Sequence, residues 1–71
     1  MKLVQKRFGE HVRRLRKARG WSQEALAERM NRHWTYVGGI ERGERNPTLV
    51  VIADIAKAFD LPICDLFPQS E

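Results

Sequence analysis

Two short helical segments joined by a tight turn, within residues 22–42, constrain the fold of this chain more than any other feature of its sequence. Ser22 is a residue type that favours the position just before a helix, and the apolar residues that follow it recur at helical spacing. Asn31 tolerates the left-handed conformation that a tight turn requires. A second helix is then predicted over residues 34–42, so residues 22–42 have the pattern of a helix-turn-helix motif.

The residues on either side of this motif continue the helical period, and no alternating strand pattern interrupts it. We predict a first helix over residues 4–19, a fourth over residues 49–59 and a short fifth over residues 63–67. The expected fold class is therefore all-α with five helices. The apolar residues predicted to face the core are Val4, Phe8, Val12, Leu15, Leu26, Ala27, Met30, Val37, Ile40, Leu49, Ile52, Ala53, Ala56, Phe59, Ile63, Leu66 and Phe67.

The 71 residues of the chain are enough for one domain, which we assign to residues 1–71. No apolar run approaches the ~18 residues that a membrane-spanning helix needs, and the chain does not begin with a signal-peptide pattern. The sequence therefore predicts a cytoplasmic protein with no membrane partner.

The sequence contains no pattern typical of an enzyme or a metal protein. Cys64 is the only cysteine, so it can form neither an internal disulfide nor a cysteine zinc site. His11 and His33 have no cysteine or carboxylate at metal-ligand spacing, and Ser22 has no histidine and aspartate in a hydrolase arrangement. Because a glycine-rich phosphate loop is also missing, we predict no catalytic activity, cofactor, metal or small-molecule ligand.

Charge is distributed unevenly along the chain. Residues 1–20 carry net +7, residues 21–46 net 0 and residues 47–71 net −3, which together give the net charge of +4. A basic first half and a mildly acidic end suggest that a polyanion binds on one side of the protein.

The third predicted helix has an outer face that carries no large apolar residue at its centre. This face contains Thr35, Gly38, Gly39 and Arg42, with Trp34 at its edge. Such a face suits a helix that lies in a groove of DNA. The glycines each cost about 1 kcal/mol in a helix relative to alanine. Either they let the backbone approach DNA closely, or they occupy positions that no ligand uses.

A longer set of residues around these helices matches the pattern of a known family. The set comprises residues 16–23 (RKARGWSQ), 26–27 (LA), 35–37 (TYV), 39–43 (GIERG), 45–49 (RNPTL), Ile52, 55–58 (IAKA) and 66–67 (LF). At these residues the chain resembles the xenobiotic-response-element helix-turn-helix regulators, the family that includes Cro and related phage repressors, and it is similar to restriction-modification controller proteins. The resemblance covers about residues 8–67 and implies a five-helix, Cro/repressor-like helix-turn-helix domain.

The resemblance also implies roles for particular residues, with the third helix as the recognition helix in the major groove. The candidates for base contact are Trp34, Thr35, Gly39 and the neighbouring Gly38. The candidates for phosphate contact are Gln23, Arg42, Arg45 and Asn46, to which we add the turn residues Arg32 and His33. Arg16 and Glu41 correspond to a buried ion pair, and helical periodicity independently places both at the edge of the core.

The chain departs from the family pattern at several positions that bear on base recognition. Trp34 stands where the family often has arginine or glutamine, and an indole cannot form the bidentate contact that arginine makes with guanine. Gly38 stands at a frequent serine position, and His33 stands where a serine or threonine helix cap is usual. The fold tolerates these departures, but the base contacts of the family cannot be carried over to Trp34 and Gly38 unchanged.

Proteins of this plan usually bind two half-sites about one turn of DNA apart as symmetric dimers. We therefore predict a homodimer that binds a palindromic double-stranded DNA operator. A second apolar strip, formed mostly by the fourth helix, is the predicted dimer interface. Its residues are Val51, Ile55, Ala58 and Cys64.

The function predicted from the sequence is sequence-specific regulation of transcription. The alternative is a protein-interaction module on the same fold with little affinity for DNA, in which Trp34 and Gly38 belong to a partner surface. Tight and salt-sensitive binding of a duplex would favour the first function over the second. Binding of structured RNA is less well supported, because the chain lacks a platform of stacking aromatic residues.

Overall fold

The computed structural model describes residues 2–68, which form four α-helices followed by a single 3-10 turn. The elements are α1 (Lys2–Ala18), α2 (Gln23–Met30), α3 (Trp34–Glu41), α4 (Leu49–Phe59) and the 3-10 turn (Ile63–Leu66). Within this part of the chain there is no strand, and no helix is long and apolar enough to cross a bilayer. The all-α prediction is therefore confirmed, whereas the prediction of a fifth α-helix is wrong. The four residues of that segment are too few to nucleate an α-helix, and they form a tighter turn instead.

The helix boundaries follow from local capping interactions that the sequence indicated. The side chains of Ser22 and Thr48 each accept a hydrogen bond from the backbone N–H three residues further along, at 3.0 and 3.2 Å. Asn31 ends α2 with φ 57°, in the left-handed conformation predicted for it. Gly20 and Gly43 follow α1 and α3 with φ 70° and 77°, and each of these helices ends one residue before its predicted boundary.

The core is built from one face of each helix. Its buried apolar residues are Phe8, Val12, Leu26, Ala27, Met30, Val37, Ile40, Val51, Ile55, Ala56, Phe59 and Leu66. Helix α3 packs against both α1 and α2, and α2 also packs against α4. The approach of α1 to α3 is close at Gly9, where an added Cβ would collide with the carbonyl oxygen of Ile40. The packing of α1 therefore supports the C-terminal half of α3.

Helix α4 buries only part of the face predicted for it: Ala56 and Phe59 are buried and Ile52 packs against the core. Val51, Ile55 and Phe59, at intervals of four residues, point into the core, whereas Leu49 is 73% exposed and Ala53 is also exposed. The first five residues of this helix are all apolar. Their periodicity therefore does not distinguish one face from its neighbour, and packing against α2 and the 3-10 turn decides between them.

The apolar strip that was predicted to be the dimer interface is therefore not at the surface of the protein. Val51 and Ile55 are buried in the core and cannot face a second copy of the chain, while Ala58 is half-buried and Cys64 is exposed. The two largest apolar residues of the strip, Val51 and Ile55, fill the interior of the domain instead. The apolar residues that α4 does expose are Leu49, Val50 and Ala53.

Three further residues predicted to face the core are partly or largely exposed. Val4 in the first turn of α1 is 57% exposed, and Ile63 and Phe67 around the 3-10 turn are each 40% exposed. Leu66 is the residue of this turn that enters the core. His11 ties α1 to the turn, because its Nε2 lies 2.9 Å from the carbonyl oxygen of Asp65.

Candidate nucleic-acid interface

A buried ion pair fixes the C-terminal end of α3 to α1. The Nε and Nη2 atoms of Arg16 donate hydrogen bonds to the two carboxylate oxygens of Glu41, at 2.7 and 3.0 Å. The third donor, Nη1, is 2.7 Å from the carbonyl oxygen of Trp21, just before α2. Arg16 therefore joins three parts of the chain, and the pair predicted from the sequence is present in the structure.

Gln23, the first residue of α2, is held against α3 by the same carboxylate. Its Nε2 donates a hydrogen bond to Glu41 Oε1 at 3.1 Å. The side-chain amide oxygen of Gln23, Oε1, then lies against α3, 3.5 Å from the point where a Cβ at Gly38 would be. Glu41 thus orients the beginning of α2 as well as the end of α3, which the spacing of these residues in the sequence did not indicate.

The outer face of α3 is covered by long side chains rather than open. Gly38 and Gly39 are both buried. A Cβ at Gly38 would lie 3.0 Å from Arg42 Nη1, and a Cβ at Gly39 would lie 2.8 Å from Arg45 Cγ. The guanidinium of Arg45 also lies over the ring of Tyr36, 5.4 Å from its centroid. The two glycines therefore make room for two arginines, so neither alternative considered from the sequence describes them.

The N-terminal turn of α3 presents three exposed side chains. His33 caps the helix, because its Nδ1 accepts a hydrogen bond from the backbone N–H of Thr35 at 3.2 Å. The same nitrogen lies 2.8 Å from the Thr35 hydroxyl oxygen. Trp34 is 48% exposed, and its ring stacks on the imidazole of His33 with 5.8 Å between centroids. This turn places Trp34 and Thr35 at the free end of the helix.

The loop after α3 carries an ion pair at the surface. Arg42 Nε lies 3.1 Å from Glu44 Oε2, and both side chains are largely exposed. A side-chain hydrogen bond from Arg42 lowers the pKa of the Glu44 carboxyl, and the same bond raises the pKa of the Arg42 guanidinium. Gln5 and Lys6 of α1 line the same shallow hollow as this pair. The sequence patterns did not bring these two residues of α1 to the site.

The remaining candidates for phosphate contact lie to the side of α3. Arg32 donates a hydrogen bond to Asp54 of α4 at 2.9 Å, so α4 holds its guanidinium. Asn46 is exposed in the loop that leads to α4. The structure thus gathers Gln23, Arg42 and Arg45 on one face of α3 and places Arg32 nearer α4.

A capped helix whose exposed face is flanked by arginines, held in a helix-turn-helix by a buried ion pair, defines a class of protein: this is a DNA-binding transcriptional regulator. The sequence model of the helix-turn-helix family HTH_3 matches residues 12–66, and the chain belongs to this family.

Relatives of the chain include several proteins named as control proteins or transcriptional regulators. It is similar to control protein C.SmaI of Serratia marcescens, with 40% identity over 62 residues that cover 87% of this chain and 74% of the relative. It is also similar to control protein C.BamHI of Bacillus amyloliquefaciens, with 43% identity over 60 residues, 83% of this chain and 74% of that one. Among solved structures, the restriction-modification controller protein C.AhdI from Aeromonas hydrophila superposes with a TM-score of 0.85 at 47% identity, covering 87% of this chain and 94% of that one.

Proposed function

We propose that this regulator binds a specific double-stranded DNA sequence as a homodimer, with α3 in the major groove. The observation that carries the proposal is the arrangement of Arg42 and Arg45 over Gly38 and Gly39 on the outer face of α3. The guanidinium groups of these two arginines match the geometry and charge of DNA backbone phosphates.

The position of each side chain on this face indicates whether it would contact phosphates or bases. Gln23, Arg42 and Arg45 lie around Gly38 and Gly39, and together with the exposed Asn46 they would contact phosphates. Thr35 and Trp34 project from the free N-terminal turn of α3 and would contact base edges. Trp34 offers an apolar surface to a thymine methyl group or a sugar, in contrast to an arginine that would select guanine. Gly38 and Gly39 would act indirectly, by accommodating the arginines.

Each copy in the proposed homodimer needs an exposed apolar surface for the contact. Leu49 and Val50 are 73% and 66% exposed, and together with Ala53 they form the outer face of the first two turns of α4. Val4 and Phe67 line a separate shallow hollow together with Ile52 of α4. We assign the contact between two copies to the α4 outer face, defined as Leu49, Val50 and Ala53, in place of the strip predicted from the sequence.

The similarity to control proteins of restriction-modification systems suggests what such a dimer regulates. We propose that the operator lies upstream of genes for a restriction-modification system. Because the dimer would bind the palindrome more tightly than a single copy would, occupancy of the operator would rise steeply with the concentration of the protein.

The experiment that tests this function is selection of bound duplexes from a random DNA library at about 150 mM salt, near physiological ionic strength. The proposal predicts an enriched palindrome with half-site centres about 10 base pairs apart. Weak binding to every duplex, with no enriched sequence, would instead support the alternative of a protein-interaction module.

A further inference from the structure

The hydrogen bonds of His33 determine which way the hydroxyl hydrogen of Thr35 points. The backbone N–H of Thr35 can only donate, and it donates to His33 Nδ1 at 3.2 Å, so this nitrogen carries no hydrogen. The Thr35 hydroxyl oxygen lies 2.8 Å from the same nitrogen. Since a bare ring nitrogen can only accept, the hydroxyl is the donor in this contact. The Thr35 oxygen is then left with acceptor lone pairs alone for any other partner.

From this geometry we propose that His33 is a positioning residue that makes Thr35 a reader of hydrogen-bond donors in the major groove. Donors there are the amino groups of adenine (N6) and cytosine (N4), whereas guanine and thymine present acceptors at O6 and O4. The half-site is therefore expected to contain adenine or cytosine at the position that Thr35 faces. This inference rests on the proposed function, because it assigns a base preference to the same helix.

The inference gives His33 a role beyond that of a helix cap. A serine or threonine cap would satisfy the helix N-terminus but has a hydroxyl hydrogen of its own, so it would not leave Thr35 in one fixed role. A ring nitrogen with no hydrogen removes that freedom. Trp34, stacked on the imidazole, restricts rotation of the His33 ring.

The test is selection from the random duplex library with the wild type, Thr35→Val, His33→Asn and His33→Ser. Thr35→Val keeps the shape and the methyl group of threonine but removes the hydroxyl, so it identifies the base position that the hydroxyl reads. The asparagine side-chain oxygen can accept from both Thr35 groups and cap the helix, whereas the serine of His33→Ser caps the helix with a hydroxyl that has a hydrogen of its own.

The wild type should enrich adenine or cytosine over guanine and thymine at that position, by roughly tenfold for one hydrogen bond. Thr35→Val should lose this preference. His33→Asn should keep it, whereas His33→Ser should weaken it, because the serine hydroxyl can donate to the Thr35 oxygen.

If the wild type still selects a palindrome, three results would overturn this inference and leave the proposed function standing. These are enrichment of guanine or thymine at the Thr35 position, a Thr35→Val variant that keeps every preference, and the same preference in His33→Ser as in His33→Asn. A wild type that selects no sequence would overturn the proposed function, and this inference with it.

Discussion

At the scale of single residues, one carboxylate organises the proposed DNA-binding face. Glu41 accepts hydrogen bonds from Arg16 and from Gln23, so it holds α1, the start of α2 and the end of α3 in one arrangement. A buried charge that loses its partner costs more than the pair itself contributes, because the remaining ion stays out of water. Stability and positioning of the face therefore depend on the same group.

Glu41→Gln should lower the free energy of unfolding by roughly 3–5 kcal/mol, because the neutral amide keeps the shape of the side chain but leaves Arg16 uncompensated. Urea unfolding monitored by circular dichroism measures the change. Glu28→Gln, at an exposed position of α2, is the matched control and should change the unfolding free energy little. Equal effects of the two substitutions would show that the pair does not stabilise the fold.

Arg42 pairs with Glu44 in the free protein, so Glu44 would compete with DNA phosphate for Arg42 in the proposed complex. Glu44→Gln should therefore raise the affinity for the operator a few-fold, measured by fluorescence anisotropy with a labelled duplex. Glu10→Gln, which removes the same charge from an exposed position of α1, is the control and should raise affinity less. A larger effect of Glu10→Gln would contradict the competition.

The pH dependence of the Arg42–Glu44 pair follows from the direction of the pKa shift. The pKa of Glu44 is lowered by the hydrogen bond from Arg42, so the pair is complete at and above the ordinary glutamate range. It is lost only as the pH falls through the lowered value. Competition by Glu44 should therefore be constant between about pH 6 and 8, well above that ordinary range. The gain in operator affinity that Glu44→Gln gives over the wild type should not change in this interval.

At the scale of helices, the sequence predicted what depends on neighbouring residues and missed what depends on packing at a distance. The caps at Ser22 and Thr48 and the left-handed Asn31 follow from local chemistry, and the roles of Ser22 and Asn31 were predicted. The prediction for α4 was wrong at Leu49 and Ala53, because a helix that begins with five apolar residues has no periodic signal there. The position of Arg45 over Gly39 depends on the path of the loop between them, which no spacing rule describes.

Gly39→Ala tests the position of Arg45 separately from the stability of α3. Alanine favours the helix by up to about 1 kcal/mol, so the unfolding free energy should stay equal or rise slightly. Its Cβ would displace Arg45, whose Cγ lies 2.8 Å from that point, so operator affinity should fall. Thermal unfolding and anisotropy measure the two effects. Unchanged affinity would mean that the position of Arg45 does not matter for binding.

At the scale of the whole molecule, two surfaces share the proposed function. The face of α3 carries the arginines, and the α4 outer face carries exposed apolar residues that water solvates poorly. A regulator that binds a palindrome needs both, because the dimer contact fixes the spacing of the two recognition helices.

Ala53→Asp places a charge in the centre of the α4 outer face without touching the core, because Ala53 is exposed. It should shift the dimer toward monomers in sedimentation velocity and weaken operator binding. Ala18→Asp, the same substitution at an exposed position of α1, should leave the dimer intact. A dimer that persists in Ala53→Asp would place the contact elsewhere.

The most direct test of the α3 binding face is the salt dependence of operator affinity for the wild type, Arg45→Ala and Arg14→Ala. Arg14 is exposed on α1, so its substitution removes the same charge from a different surface. Arg45→Ala should weaken binding and reduce the slope of log affinity against log salt by about one for each protomer, as expected for a lost phosphate contact. Arg14→Ala should leave the slope nearly unchanged. Equal slopes for the two variants would show that DNA does not bind the face of α3 on which Arg45 lies.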